Sequence, residues 1–264
     1  MRIVSLNAWG GAMFEPLVTW VPRVDADVLC VQEVTRTHGA GGWTQFTDPD
    51  RSLPQRADHF DDLRAALPDH RATFVASDAG PVVTADGRMH RQEFGIAAFV
   101  AGTVDLVHDE RRFVHGRFTD HERWPAGGRP RVAQAVHVLA HDDGRTVGVV
   151  HLHGLRDPAG KADTPARRAQ ATRLADLVRR VTERTDVTVV CGDLNVLPDS
   201  ETFETLGAVG LVDLVGASDT RSSAYTKPVR HADYLLVSDP GSVRSFEILE
   251  APEVSDHRPL VVDI

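Results

Sequence analysis

The run Cys191-Gly192-Asp193-Leu194-Asn195-Val196 sets a carboxylate and a carboxamide two residues apart, directly after a string of β-branched residues. On an extended chain Asp193 and Asn195 project to the same side. Such a pair suits phosphoryl hydrolysis: one residue holds a metal ion or polarises a water while the other donates to a phosphate oxygen. It equally suits a turn closed by an Asx cap. A second candidate is Ser255-Asp256-His257-Arg258-Pro259. Neighbours on an extended chain face opposite ways, so Asp256 is badly placed to hold the ring of His257. Asp233, in His231-Ala232-Asp233-Tyr234, is the candidate partner: a carboxylate on one ring nitrogen fixes the tautomer and raises the basicity of the other. Such a His-Asp pair can also be purely structural. The third candidate is His151-Leu152-His153, at the end of a valine-rich strand. Zinc ligation by the two rings lacks a cysteine or a His-Glu helix motif to complete it. His153 is read instead as a phosphate contact, the bland alternative being two solvated rings.

These residues need rigid elements behind them. Arg2 to Asn7 reads as a strand running into a turn at Ala8-Trp9-Gly10-Gly11. Val28 to Val31 is a second apolar run with Gln32-Glu33 at its end, and a carboxylate there is tolerable only if something cationic neutralises it. Asp58 to Leu67 reads as a short helix, and Arg71 to Ser77, Phe94 to Val100 and Thr103 to Val107 as strands. His108 to Pro130, rich in Arg and His and without apolar periodicity, is expected to be a long loop, either a substrate-facing lip or a solvated insertion. Arg131 to Ala140 and Thr146 to Leu152 form a hairpin around Asp142-Asp143-Gly144. Thr164 caps a helix with Pro165 at its first position and Leu174, Leu177, Val178 and Val181 on one face, leaving Arg167, Arg168, Arg173, Arg179 and Arg180 as a solvated side. Val187 to Cys191 is a buried strand and Ser200 to Leu206 a short helix; Tyr234 to Val237, Val243 to Leu249 and Leu260 to Val262 are closing strands. Strands outnumber helices and hairpins are frequent, which predicts a mixed α/β layout rather than a strictly alternating one.

With 264 residues, 42% hydrophobic and 25% charged, the chain can bury a sizeable core as one domain over 1–264. The net charge of -9 argues against a broadly basic surface that would hold long nucleic acid. A bound cation reverses the local sign, so an anionic substrate remains compatible. Cys30 and Cys191 sit in apolar runs and predict no disulfide framework. Without a leader or a span-length apolar run, a cytoplasmic monomer without membrane insertion is expected.

Six segments in order, Ser5-Leu6-Asn7, Val31-Gln32-Glu33, His151-Leu152-His153, Gly192-Asp193-Leu194-Asn195, Ala232-Asp233-Tyr234 and Ser255-Asp256-His257, resemble the endonuclease/exonuclease/phosphatase superfamily, the fold of pancreatic-type deoxyribonuclease and abasic-site endonucleases. The resemblance spans almost the whole chain. It implies a four-layer sandwich of two packed mixed β-sheets flanked by helices, with the site at one edge. It also implies that Glu33 is the principal Mg²⁺ or Mn²⁺ ligand, with Asn7 and Asp256 completing or supporting the metal site. His257, oriented by Asp233, would be the general base or steady the phosphate. Asp193 and Asn195 would align water and phosphoryl group, and His153 would contact a non-bridging oxygen or assist the leaving group. Whether Asp193 or His257 removes the water proton stays open. His151-Leu152-His153-Gly154 departs from the Asn-Thr-His-Leu of many relatives, so the surrounding hydrogen bonds must be rebuilt. The implied activity is metal-dependent hydrolysis of phosphate esters, a diester before a monoester. The substrate would be a small molecule, a nucleotide, a lipid headgroup or nucleic acid; the acidic balance favours small or single-stranded ones, and the basic segment Arg111 to Arg131 is a local exception. The competing class is a non-catalytic member that binds a phosphorylated partner, which a flat hydrolysis assay with Mg²⁺ and Mn²⁺ would favour.

Overall fold

The first strand, β1 (Arg2–Asn7), turns Ile3 one way and Val4 and Leu6 the other, and all three are buried. A strand covered on both faces belongs inside a layered sandwich. The computed structural model describes residues 1–141 and 144–264. After β1 come α1 (Phe14–Trp20), β2 (Val28–Arg36), β3 (Trp43–Thr47), β4 (Ser52–Arg56), α2 (His59–Ala66), β5 (His70–Thr84), β6 (Met89–Ala101), β7 (Asp105–His115) and β8 (Thr119–Asp120). The second half contains β9 (Arg131–Leu139), β10 (Thr146–His153), α3 (Pro165–Thr182), β11 (Val187–Asp193), α4 (Glu201–Gly207), β12 (Val212–Asp213), β13 (Asp233–Val237), β14 (Ser245–Ile248) and β15 (Leu260–Asp263).

One sheet has the order β14-β15-β1-β2-β6-β5-β3-β4, with β8 beside β5; the other runs β12-β13-β11-β10-β9-β7. Each has a parallel pair at its middle, β1 with β2 and β10 with β11, so both sheets are mixed. Ile3, Cys30 and Val100 of the first sheet share one core with Val136, Val149 and Val190 of the second. The outer face of the first sheet, through Val4, Leu6 and Leu29, packs under α1 and α2 by way of Leu17, Trp20, Phe60 and Leu63. The second sheet is covered by α3, whose Leu174, Leu177, Val178 and Val181 are buried as the helical spacing requires. Each such side chain contributes roughly 1.5–3 kcal/mol of burial. The four-layer sandwich expected from the resemblance is the fold observed. No helix among the described residues is long and apolar enough to cross a membrane.

Some local expectations change. His108 to Pro130 is not one loop: β7 runs on to His115 and β8 follows. β7 pairs only with β9 and carries charged side chains on an edge of the sheet, which erases the alternation that would betray a strand. Arg167 does not sit on a solvated face. It is buried and donates to the carbonyls of Leu155, Gly160 and Ala162. The Thr164 cap is present, accepting the Arg167 N–H at 3.3 Å. The hairpin of β9 and β10 is antiparallel as expected, while Asp142 and Asp143 of its turn lie outside the described residues.

Candidate active site

The functional side chains gather where β1, β10 and β11 end and β13 begins. Alternation puts Asn7 on the side of Ile3, facing the other sheet. In β2 the same parity would send Glu33 the wrong way, with Leu29 and Val31 toward the helices. Glu33 is instead the extra residue of a β-bulge: the register with β6 shifts between Gln32 and Val34, and Glu33 has a φ of 57°. Bulges re-aim a side chain in this way, and here Glu33 meets Asn7, whose Nδ2 donates to its Oε1 at 3.3 Å. Where β10 and β11 end, Gly192 (φ 134°) approaches β10 so closely that a Cβ would lie 2.1 Å from the Leu152 carbonyl oxygen. Gly154 is similar, its added Cβ falling 2.2 Å from the carbonyl oxygen of Leu194. The glycine at 154 therefore answers to backbone crowding at that strand end.

Asn7 Nδ2 also donates to Asp193 Oδ2 at 3.0 Å, joining the two sheets at the site. Asp193 Oδ1 accepts the backbone N–H of Asn195 at 2.9 Å. The Asx turn considered from sequence therefore exists, and Asn195 adopts a φ of 56°, leaving extended geometry. Its amide lies 3.5 Å from the Gly154 carbonyl. Asn7 Oδ1 accepts the Trp9 N–H, so the side-chain NH₂ links carboxylates in this arrangement. Ser255 Oγ donates to the Asn7 backbone carbonyl at 2.6 Å and receives the His257 N–H, fixing the Ser255–His257 segment to the end of β1.

His257 Nδ1 lies 2.9 and 2.8 Å from the two oxygens of Asp233. Asp256 does not hold the ring by Nδ1; its Oδ1 is 3.7 Å from Nε2. Burial, the largest influence, and Arg221 oppose the charged form of His257, but Asp233 and Asp256 together raise the ring's pKa. Burial would push the Asp233 carboxyl up, yet His257 and Arg221 hold it below its usual value. Asp256 goes the other way, raised by burial, with Glu33 and Asp233 adding to the rise against His257 and Arg221. His153 is kept neutral by burial and by Arg131, its pKa well below 6.5. Its Nε2 is 3.8 Å from both Glu33 Oε1 and Asp193 Oδ2, beyond hydrogen-bond length. His151 is fully buried and pairs with Gln134 at 3.1 Å, so neither ring of the pair is solvated.

Glu33, His153, Asp193, Asn195, Asp256 and His257 line one cleft of about 520 Å³. Asn7 and Asp233 stand behind them, so all eight predicted site residues converge. Sequence reasoning missed Arg221. Its Nη1 donates to Asp256 Oδ2 at 3.0 Å and to His257 Nε2, and its guanidinium lies over the Tyr225 ring. A bridge to His257 brings it there from a Ser/Thr-rich loop that offers no motif to read.

The donor set suits a hard divalent cation. Glu33, Asp193 and Asp256 present carboxylate oxygens, while both cysteines are buried elsewhere in the inter-sheet core. Asp193, Asp233 and His257 bring one potential ligand atom each within 4.8 Å of one another. That trio is already engaged internally, because Asp233 holds Nδ1 of His257. Even with Arg221 paired to it, the Asp256 carboxyl stays raised by burial and by Glu33, a crowding of carboxylates that a cation relieves.

A model of the Endonuclease/Exonuclease/phosphatase family matches residues 4–257. No curated protein matches the sequence. Among solved structures, the mannosyl-6-phosphatase of Bacteroides thetaiotaomicron VPI-5482 is 16% identical with a TM-score of 0.69, covering 100% of this chain and 98% of that one. The human nocturnin catalytic domain with bound sulfate is 20% identical with a TM-score of 0.63, over 100% and 93%. D. rerio TDP2 complexed with a single-strand DNA product is 13% identical with a TM-score of 0.62, over 99% and 97%. Likenesses at such identities establish a shared fold, whereas the family match extends over nearly the whole sequence. The chain belongs to the endonuclease/exonuclease/phosphatase family, whose members are phosphoesterases and nucleases.

Proposed function

We propose that this chain is a divalent-metal-dependent phosphodiesterase that cleaves a compact phosphodiester by attack of water at phosphorus. The observation that carries the reading is the buried His257–Asp233 pair, with Nδ1 held at 2.8 Å and Nε2 3.8 Å from Asp193, at the floor of an open cleft. Glu33 and Asp256 would hold Mg²⁺ or Mn²⁺, with Asn7 tying Glu33 to Asp193 behind them. Bound there, the cation supplies charge neutralisation and polarisation of a phosphoryl oxygen. Both Asp193 oxygens already accept N–H groups, which suits a residue that orients the water. His257, made more basic by Asp233, takes the water proton at Nε2 once Arg221 turns from that atom to the phosphoryl oxygens. Neutral His153 donates to a non-bridging oxygen, Asn195 steadies the phosphoryl group, and as the ester P–O bond breaks the leaving alkoxide takes its proton from water in the cleft.

A cleft of this size is that of a small-molecule site, and the net charge of -9 disfavours a long polyanion. The solved relatives span a mannosyl-6-phosphatase and a TDP2 held with single-strand DNA, so the substrate test must include monoesters and oligonucleotides as well as small diesters. With Mg²⁺ or Mn²⁺, hydrolysis of a small diester is expected, ending on addition of chelator and returning with excess metal. No turnover across the set would favour the binding-only class; turnover that persists in chelator would remove the metal.

A further inference from the structure

Of the 29 lysine and arginine side chains in the sequence, only Lys161 and Lys227 are lysines, and both line the catalytic cleft. They arrive on separate loops, Lys161 between β10 and α3 and Lys227 between β12 and β13. The arginines of the same cleft are already committed. Arg167 is spent on three backbone carbonyls, and Arg221 is held by Asp256 and His257 and assigned above to the scissile phosphoryl group. Arg51 pairs with Asp48, and Arg156 donates to the Ala126 carbonyl with Asp50 3.7 Å away. Among the described residues Lys161 makes one hydrogen bond, donating from Nζ to the neutral carbonyl of His231 at 2.5 Å. Its charge is left without a carboxylate at ion-pair distance among the described residues, although it is half-buried and feels the charges of Asp193 and Asp233. Lys227 is exposed at the rim. A half-buried ammonium with no carboxylate at ion-pair distance is favoured when something anionic settles against it.

We propose that Lys161 and Lys227 form a subsite for a second phosphate group of the substrate, separate from the ester being cleaved. The scissile phosphoryl group already has its contacts in His153, Asn195 and Arg221, and in the cation that Glu33 and Asp256 would hold. The two lysines, as point charges on two separate loops of the cleft wall, hold the non-reacting end. The preferred substrate is thus a compact phosphodiester that also carries a terminal phosphate. This rests on the phosphodiesterase reading above.

Two diesters test it, thymidine 3′-(4-nitrophenyl phosphate) and the same compound bearing a 5′-phosphate, with hydrolysis by the full chain in Mg²⁺ followed chromatographically. The 5′-phosphorylated ester is expected to show a kcat/KM about tenfold higher, mostly through KM, as a charge-assisted contact provides. Replacing both lysines (Lys161→Met with Lys227→Met) should bring that ratio close to one, and Lys→Arg at both positions should keep most of it. Equal kcat/KM values in the native protein, or a ratio that survives the double substitution, would overturn the subsite while leaving the phosphodiesterase reading intact. Because the chain has only two lysines, acetylation mapped by mass spectrometry supplies a readout independent of turnover. Thymidine 3′,5′-bisphosphate should protect both lysines and thymidine 3′-phosphate should not; equal protection by the two, or none, refutes the proposal. If neither ester is cleaved, the protection experiment still decides the subsite.

Discussion

His257 is held from two sides, by Asp233 at Nδ1 and by Arg221 at Nε2. Two cations cannot share a hydrogen bond, so with Arg221 donating, the ring is neutral and its proton sits on Nδ1. Asp233 is then a positioning residue that sets tautomer and basicity. Substituting His257→Ala should lower kcat by about 10²–10⁴-fold. Asp233→Asn removes the charge that raises the ring's pKa. The acidic limb of the pH–rate profile, where the base must be unprotonated, should then move to lower pH; an unmoved limb would separate Asp233 from the titrating group. The Asp233–His257 pairing was legible because strand parity ruled out the neighbouring Asp256. Arg221 was not, because an arginine in an irregular loop acquires its role only from where the chain returns in space.

Among the elements, the bulge in β2 matters most for function, since it alone turns Glu33 from the helix side to the cleft. Its sequence sign is slight: a carboxylate at the end of an apolar run. β10, β11 and α3 were readable because they are buried on one or both faces, which imprints apolar runs or helical spacing. The hairpin of β3 and β4 and the extension of β7 were not, as they lie at sheet edges where charged and polar residues break the pattern. The strand ends carry a testable constraint. Gly192→Ala would force a Cβ against the Leu152 carbonyl at a φ of 134°. It should destabilise the protein by about 1–3 kcal/mol or more, lowering Tm; an unchanged melting temperature would show that β10 and β11 can separate there.

Across the whole molecule, the layers that bring distant segments together also bury several histidines in neutral form. Burial pushes His59 down to about 4 and His151 down to about 3. His115, His137 and His153 shift in the same sense, and His257 opposes them. An unfolded histidine binds its proton near pH 6.5. Below that pH the unfolded chain gains protons that the folded chain refuses, so this stability is complete above about 6.5 and is lost toward 4 and 3. The slope approaches about 1.4 kcal/mol per pH unit for each such histidine. Melting temperatures taken from pH 8 to pH 5 should fall, and His151→Gln should flatten the fall; a level curve would contradict the buried neutral state. Catalysis depends on the same convergence, because Glu33 from one sheet and Asp193 from the other must meet around a cation beside His257. The most direct measurement is turnover of Glu33→Gln on whichever phosphodiester the native protein cleaves, alongside its melting temperature. The expected result is loss of Mg²⁺-dependent turnover with the fold retained; full turnover in that variant would contradict the assigned metal site and the mechanism built on it.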